Sequence, residues 1–241
     1  MLFHSRIKAK WSLQTNTATA PFAARADDGM DYVVKKFDLG GPLRATETIC
    51  TLIAEAVGVP TAPHRILEDF DGELVFGSQI YGDTSPSHAA MLSDDPPSTL
   101  ALGQISRITS LDLFVGNDDR HLNNYLVRDQ NGVSRIIAMD FSHTLLSHWP
   151  LPPLPLAETC KTIARGRHLR ARWGFDVAEA KDCAERLRLL SPEFASQMVK
   201  QIPASWLPGT LADDFSAWWS SKQRLDRAEQ IEAGVQDGSL L

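Results

Sequence analysis

Cysteine is scarce in this sequence. The 241 residues include three cysteines, Cys50, Cys160 and Cys183, which lie far apart and show no Cys-x-x-Cys spacing. Their number and spacing exclude a disulfide framework and a zinc knuckle. We therefore expect three free thiols in a reducing compartment. The first residues show no secretory-signal pattern, so the cytoplasm is the expected location.

Long apolar runs and an excess of positive charge are also missing. No run approaches the roughly 18 residues that a membrane helix needs, so we expect no membrane partner. The chain has 24 Lys and Arg against 30 Asp and Glu, a net charge of −6, which makes direct nucleic-acid binding a poor expectation. With 43% hydrophobic and 22% charged residues, the composition is that of a globular protein of one or two domains.

The first third of the chain predicts a small sheet with one helix. Apolar residues between Arg44 and Val57 recur at helical spacing, and Gly58 and Pro60 end the pattern. The segment from Gly82 to Ser98 is rich in Gly, Asp, Ser and Pro, which is typical of a loop or a lobe boundary. Strands are predicted at 7–13, 21–25, 32–37, 64–68 and 74–80.

The remainder of the chain predicts mainly helices. A buried helix over 100–115 precedes a hairpin in which Asn131-Gly132 forms the turn between strands 125–127 and 136–139. Further helices are predicted at 177–190, 192–201 and 211–233. We therefore predict an α+β fold with one lobe at residues 1–82 and a second at 83–241.

Polar residues concentrate between two predicted buried elements. The segment from Val115 to Val127 places Asp119, an Arg, a His and Asn124 between a helix and a strand. Such groups are costly to bury unless they bind something or satisfy one another. Asp140 ends the return strand of the hairpin, so Asn124 and Asp140 are expected to meet at its open end. Carboxylate and amide oxygens suit Mg²⁺.

These strings resemble those of the HipA-like kinases. Asp-Arg-His-x-x-Asn at 119–124 and Asp-Phe-Ser-His at 140–143 are similar to family strings that phosphatidylinositol 3- and 4-kinases share distantly. The resemblance runs from Thr15 to His143. It implies a two-lobed protein-kinase-like fold, with a small β-rich N-lobe and a helical C-lobe, that binds ATP and Mg²⁺.

The resemblance also implies roles for individual residues. Asp119 resembles the catalytic aspartate that accepts the proton of the acceptor hydroxyl, and Asn124 and Asp140 resemble the metal ligands. Lys35, in Tyr-Val-Val-Lys, resembles the lysine that binds the ATP phosphates, and Glu47 resembles its ion-pair partner.

Further residues are also considered for nucleotide binding. Lys36 is the competing phosphate lysine, since neighbouring strand residues face opposite sides and one of the two can face the cleft. The expected phosphate loop, 15–21, contains no glycine, and its Thr17 and Thr19 are assigned to the nucleotide together with Gln79. Thr17 and Thr19 as autophosphorylation sites or as simple loop residues both stay open.

The expected reaction is transfer of the ATP γ-phosphate to a Ser or Thr hydroxyl of a protein substrate. A small-molecule or phosphatidylinositol-like lipid kinase is the alternative, and a nucleotide-binding pseudokinase, motivated by the glycine-free loop, is the second alternative. By resemblance only, a toxin role and an antitoxin or regulatory partner are implied.

Two further features of the sequence are His143 and a basic stretch that follows it. His143 is interpreted as a structural histidine that supports the metal-binding segment. The basic stretch that follows is interpreted either as a solvated helix face or as a site for an acidic or phosphorylated partner. It contains Lys161, Arg165, Arg167, His168, Arg170 and Arg172.

Overall fold

The computed structural model describes residues 4–13, 22–38, 41–82, 84–86, 99–130, 133–207 and 209–241. The strands are β1 Ser5–Ser12, β2 Phe22–Ala26, β3 Asp31–Lys35, β4 His64–Glu68, β5 Leu74–Gln79, β6 Thr84–Pro86, β7 Tyr125–Gln130 and β8 Val133–Ala138. The helices are α1 Leu43–Val57, α2 Thr99–Val115, α3 Lys161–Trp173, α4 Val177–Leu189, α5 Glu193–Lys200, α6 Leu211–Trp219 and α7 Lys222–Asp237. The α+β content predicted from the sequence is confirmed.

Strands β1 to β5 close into a barrel in the order β1-β2-β3-β5-β4. Neighbouring strands are antiparallel except β1 and β4, which pair in parallel through Ser5 opposite Leu67. Closure pairs the edges that an open sheet would leave free. The sequence predicted the strands but not the barrel. The interior is filled by Ile7, Ala24, Ala26, Tyr32, Val34, Leu67 and Val75.

Helix α1 covers one outer face of the barrel. Its apolar stripe, including Ile49 and Ile53, is fully buried, and it shares a core with Phe76 of β5. Lys35 of β3 lies directly opposite Phe76 in the strand register, so both side chains stand on the face that α1 covers. This register directs Lys35 toward Glu47, which lies in the second turn of α1.

Helix α2 is the centre of the second part of the molecule. It is buried on all sides and packs against α4, α7 and β8. The hairpin of β7 and β8 is extended by β6 into a three-stranded sheet. The hairpin confirms the prediction from the sequence, although its turn at 131–132 lies outside the described residues.

Three elements differ from the prediction. Strand β6 falls in the segment that the sequence predicted as a loop, and α3 carries the basic stretch. The helix predicted over 211–233 is two helices, α6 and α7, because the chain turns at Ser221. The backbone nitrogen and Oγ of Ser221 both donate to the carbonyl oxygen of Trp218. Apolar spacing continues across this break, so periodicity alone could not reveal it. None of the helices that the structure describes is long and apolar enough to cross a membrane.

Candidate active site

Lys35, Glu47 and Asp140 meet in one cluster, although they come from β3, α1 and the segment after β8. The Nζ of Lys35 donates to Oε1 of Glu47 and lies 2.7 Å from Oδ1 of Asp140. The side chains of Lys35 and Glu47 are 9% and 3% exposed, whereas that of Asp140 is 29% exposed. The cluster is therefore closed on the α1 side and reaches solvent at Asp140.

The Lys35 ammonium lies between two carboxylates, those of Glu47 and Asp140, and attracts both. Burial by itself would lower the pKa of Lys35, but the carboxylates of Glu47 and Asp140 outweigh it and raise that pKa above its usual range. Burial would raise the pKa of Asp140, but the Lys35 ammonium and the hydrogen bonds to Asp140 hold that pKa well below its usual range. Both groups thus remain charged at neutral pH, as binding of phosphate and of a cation requires.

Asp140 has an unusual backbone conformation. Its φ is +60°, in the left-handed region that few non-glycine residues adopt. The backbone nitrogen and Oγ of Ser142 both donate to Asp140 Oδ1, the oxygen that also accepts from Lys35. The backbone nitrogen of Phe141 donates to Glu47 Oε1 at 3.1 Å. Because Oδ1 is engaged by three donors, Oδ2 is the oxygen of Asp140 that can bind a cation.

A buried ion pair between Asp112 and Arg120 supports the loop that carries Asp119. The guanidinium Nε and Nη2 of Arg120 lie 2.8 Å from the two carboxylate oxygens of Asp112, and both side chains are 1% exposed. Arg120 also donates to the carbonyl oxygens of Asn124 and Met139. One guanidinium therefore joins α2, the loop and the open end of the hairpin.

Asp119 is held by its backbone and remains accessible through its side chain. Its nitrogen donates to Asn117 Oδ1 at 3.0 Å, and its carbonyl oxygen accepts from Asn124 Nδ2 at 3.1 Å. The carboxylate is 24% exposed, with Lys161 Nζ 2.5 Å from Oδ1 and His121 Nε2 3.8 Å from Oδ2. A carboxylate with a fixed backbone and an exposed head can receive a proton from a bound hydroxyl.

Asn124 and Asp140 offer oxygen ligands at neighbouring positions. The backbone nitrogen of Met139 donates to the carbonyl oxygen of Asn124 at 3.1 Å, which sets Asp140 beside Asn124. Since Asn124 uses its amide nitrogen on Asp119, its amide oxygen is the atom that can bind a cation. An amide oxygen and a carboxylate oxygen next to a buried lysine fit Mg²⁺ with a bound phosphate.

The structure brings together Lys35, Glu47, Asp119, Asn124 and Asp140, the five residues on which the sequence-based hypothesis depended. Other assigned residues do not join them, and their nucleotide roles stay predictions. Gln79 lies opposite Tyr32, on the other face of β3 from Lys35, and its Nε2 contacts Met30 Sδ at 3.4 Å. Lys36 pairs with Asp69 and Asp71. Thr17 and Thr19 lie outside the described residues.

Sequence reasoning missed Asp112, Asn117 and the role of Lys161. Asp112 had a signal, since it is the single carboxylate of a helix that the sequence predicts to be largely buried, where a charge needs a partner. Asn117 bonds to Asp112 through Nδ2 at 2.8 Å. Lys161 had no signal, because its contact with Asp119 depends on how α3 packs. The backbone nitrogen of Lys161 donates to the carbonyl oxygen of Asp118 at 2.9 Å, which anchors this end of α3.

Comparisons with known proteins identify the family of the chain and similar folds. A family model described as HipA-like kinase matches residues 11–230. No curated protein matches the chain. The crystal structure of the proinflammatory kinase CtkA from Helicobacter pylori is similar with a TM-score of 0.58 and 10% identity, over 97% of this chain and 96% of that one.

HipA from the toxin–antitoxin system of Shewanella oneidensis MR-1, solved with HipB and operator DNA, is similar with a TM-score of 0.51 and 12% identity. The match covers 86% of this chain and 59% of that one, so the present chain spans a little over half of HipA. At these identities the likeness concerns the fold.

Proposed function

The chain belongs to the family of HipA-like kinases, and from this we propose that it is a two-lobed, ATP- and Mg²⁺-dependent kinase that phosphorylates Ser or Thr of a protein. In this proposal, residues 1–82 form the N-lobe and residues 83–241 form the C-lobe. The observation that carries it is the convergence of Lys35, Glu47 and Asp140 beside the loop of Asp119 and Asn124.

Each residue of the cluster has a distinct task. Lys35 would exchange its contact with Asp140 for a phosphate oxygen of the nucleotide, while Glu47 would keep the ammonium in place and charged. Asp140 would hold the cation through Oδ2, and Asn124 would hold it through its amide oxygen. When bound, ATP would supply the γ-phosphoryl group and Mg²⁺ would neutralise its charge.

Asp119 acts on the acceptor. Its carboxylate orients the incoming hydroxyl and accepts its proton, and Arg120 keeps the loop in position through Asp112. Positioning and electrostatic stabilisation supply most of the rate enhancement in phosphoryl transfer. The buried support around Asp119 is consistent with that requirement.

The test is transfer from labelled ATP in a cell lysate, followed by identification of the labelled species. Asp119→Asn should abolish transfer and keep the thermal shift that Mg·ATP produces. Asp140→Ala should reduce that shift itself, because it removes a cation ligand and a partner of Lys35. Full transfer activity in both variants would refute the proposed mechanism.

The same experiment separates the alternatives. Label on a small molecule or a lipid, with protein unlabelled, would favour the small-molecule or lipid kinase. A thermal shift with Mg·ATP but no transfer to any acceptor would favour the nucleotide-binding pseudokinase.

A regulatory protein partner, of the antitoxin kind, is the second part of the proposal. It is supported by the fold shared with HipA, a protein solved together with HipB. Purification of the tagged chain from its native host, with identification of any stoichiometric companion, tests this part. Recovery of the chain alone would count against it.

A further inference from the structure

Asp118, His143 and His148 bring one carboxylate and two imidazoles together beside Asp119. One donor atom of each residue lies within 4.8 Å of the other two. The Nε2 of His148 is 3.4 Å from Oδ1 of Asp118, and the rings of the two histidines have centroids 6.1 Å apart. We propose that these three residues, called the His₂Asp triad below, bind one transition-metal cation of the Zn²⁺ class.

The spacing of the triad suits a tetrahedral cation. With metal–ligand bonds of about 2.0–2.1 Å, neighbouring donors of tetrahedral Zn²⁺ lie about 3.3 Å apart. Asp118 and His148 already meet that separation. His143 is exposed, and its donor atom lies within 4.8 Å of the other two. Two imidazoles and a carboxylate favour Zn²⁺ over Mg²⁺ or Ca²⁺, which prefer oxygen ligands.

His148 supplies an independent observation. Its Nε2 is buried and has no hydrogen-bond partner among the residues that the structure describes. Asp118 Oδ1 lies 3.4 Å away, which is within ion-pair distance, but the contact is not a hydrogen bond. A buried nitrogen that makes no hydrogen bond is unfavourable, and a cation between His148 and Asp118 satisfies both groups.

The fold fixes two sides of the site and leaves one open. The carbonyl oxygen of Asp118 accepts from the backbone nitrogen of Lys161, and His148 ends the short 3₁₀ helix Leu145–His148. Asp118 and His143 line a cleft of about 470 Å³ together with Asp119. A fourth ligand, either water or a donor atom of a molecule in this cleft, completes the coordination.

The His₂Asp triad is separate from the Mg²⁺ ligands. Asn124 and Asp140 offer oxygens alone, whereas the triad offers two nitrogens. None of its residues is assigned a chemical step in the transfer proposed above. Metal binding can therefore be measured in the absence of nucleotide, and its outcome does not depend on whether the chain transfers phosphate.

The test is equilibrium dialysis of the chelator-treated full chain against ZnCl₂, with CoCl₂ as a spectroscopic probe. We expect one Zn²⁺ per chain and the strong visible absorption of four-coordinate Co²⁺. His143→Ala and His148→Ala should each weaken Zn²⁺ binding at least about 100-fold, since loss of an outer-sphere partner alone costs 10–100-fold. Circular dichroism and the melting temperature establish that both variants are folded.

Two control variants leave the three residues of the triad unchanged. His64 lies 3.6 Å from Glu55, so His64→Ala removes a histidine–carboxylate pair without touching the triad and should leave binding intact. Cys160→Ser tests the thiol that lines the same cleft and should also leave binding intact. Absence of stoichiometric Zn²⁺ in the wild type would overturn the proposal, and so would unchanged binding in both triad variants. Loss of binding in Asp140→Ala or Cys160→Ser, with binding retained in the triad variants, would also overturn it.

Discussion

Lys161, at the start of α3, places its ammonium nitrogen 2.5 Å from Oδ1 of Asp119. The two residues are distant in the chain, and Lys161 is 63% exposed while Asp119 is 24% exposed. A cation therefore stands directly against the proposed catalytic carboxylate. This contact ties the basic stretch to the active site.

Lys161→Met should lower kcat roughly tenfold, about 1.4 kcal/mol of transition-state stabilisation, because a charge next to the transferring group is lost. KM for ATP should change little, since Lys35 and the cation ligands are untouched. Steady-state kinetics with Lys161→Arg as the charge-conserving control measure this effect. An equal loss in both variants would show that the charge is not what matters.

Asp112→Ala should destabilise the protein by about 3–5 kcal/mol, because Arg120 is then left as a buried charge without its partner. Urea unfolding monitored by circular dichroism measures the loss. The matched control is Arg25→Ala, which breaks an exposed pair of the same bidentate type with Asp31. That change should have little effect on stability, because solvent screens an exposed ion pair. Similar losses at the two sites would contradict the burial argument.

Gly77→Ala tests the closed barrel. A Cβ at Gly77 would lie 2.7 Å from Cδ1 of Leu67 and 3.2 Å from Cδ1 of Tyr32, both in the barrel interior. Overpacking of this kind costs about 1–3 kcal/mol. Gly82→Ala is the control, since its Cβ would meet nothing within 4 Å. An unchanged melting temperature for Gly77→Ala would mean that the barrel interior has room for the added methyl group.

Arg227→Met tests how the end of α2 is held. Arg227 is buried on α7 and donates to the carbonyl oxygens of Leu113, Phe114 and Pro152 at 2.7–2.8 Å. Burial lowers the pKa of Arg227 to about 10, so it still carries its charge at neutral pH. We expect a loss of about 2–4 kcal/mol in the free energy of unfolding, because three carbonyl groups lose their donor.

The control for Arg227 lies on the same helix. Lys222→Met removes an exposed lysine that pairs with Asp226, and it should change stability by no more than about 0.5 kcal/mol. Equal effects of the two substitutions would show that the carbonyl contacts of Arg227 do not stabilise the folded protein.

His121 predicts a pH dependence of stability. Burial lowers the pKa of His121 in the folded state, outweighing the opposite effect of Asp119. The unfolded chain therefore binds more protons than the folded chain as pH falls through about 6.5, so the free energy of unfolding should decrease between pH 7 and 5. His121→Gln should show a weaker decrease. Denaturant unfolding across this pH range measures the difference, and identical slopes would exclude His121 as the cause.

Residue types and spacing were sufficient for the local chemistry. The strings 119–124 and 140–143 contain the carboxylates and the amide, and hairpin geometry already predicted that Asn124 and Asp140 would meet. Strand alternation reduced the lysine choice to Lys35 or Lys36 without deciding it. The register of β3 against β5 favours Lys35, because it sets Lys35 on the face covered by α1, whereas Lys36 pairs with Asp69 and Asp71.

The sequence by itself determined the α+β content and the family, and it predicted the residues that are proposed to bind a phosphate and a cation, because all of these depend on short-range periodicity and on residue type. Only the tertiary structure decided the closure of the barrel, the burial of Arg120 against Asp112, the contact of Lys161 with Asp119 and the grouping of Asp118 with His143 and His148. Most of these contacts join elements that are not neighbours along the chain, such as α3 and the loop of Asp119. They depend on how the elements pack, although the carboxylate of α2 already indicated a buried partner.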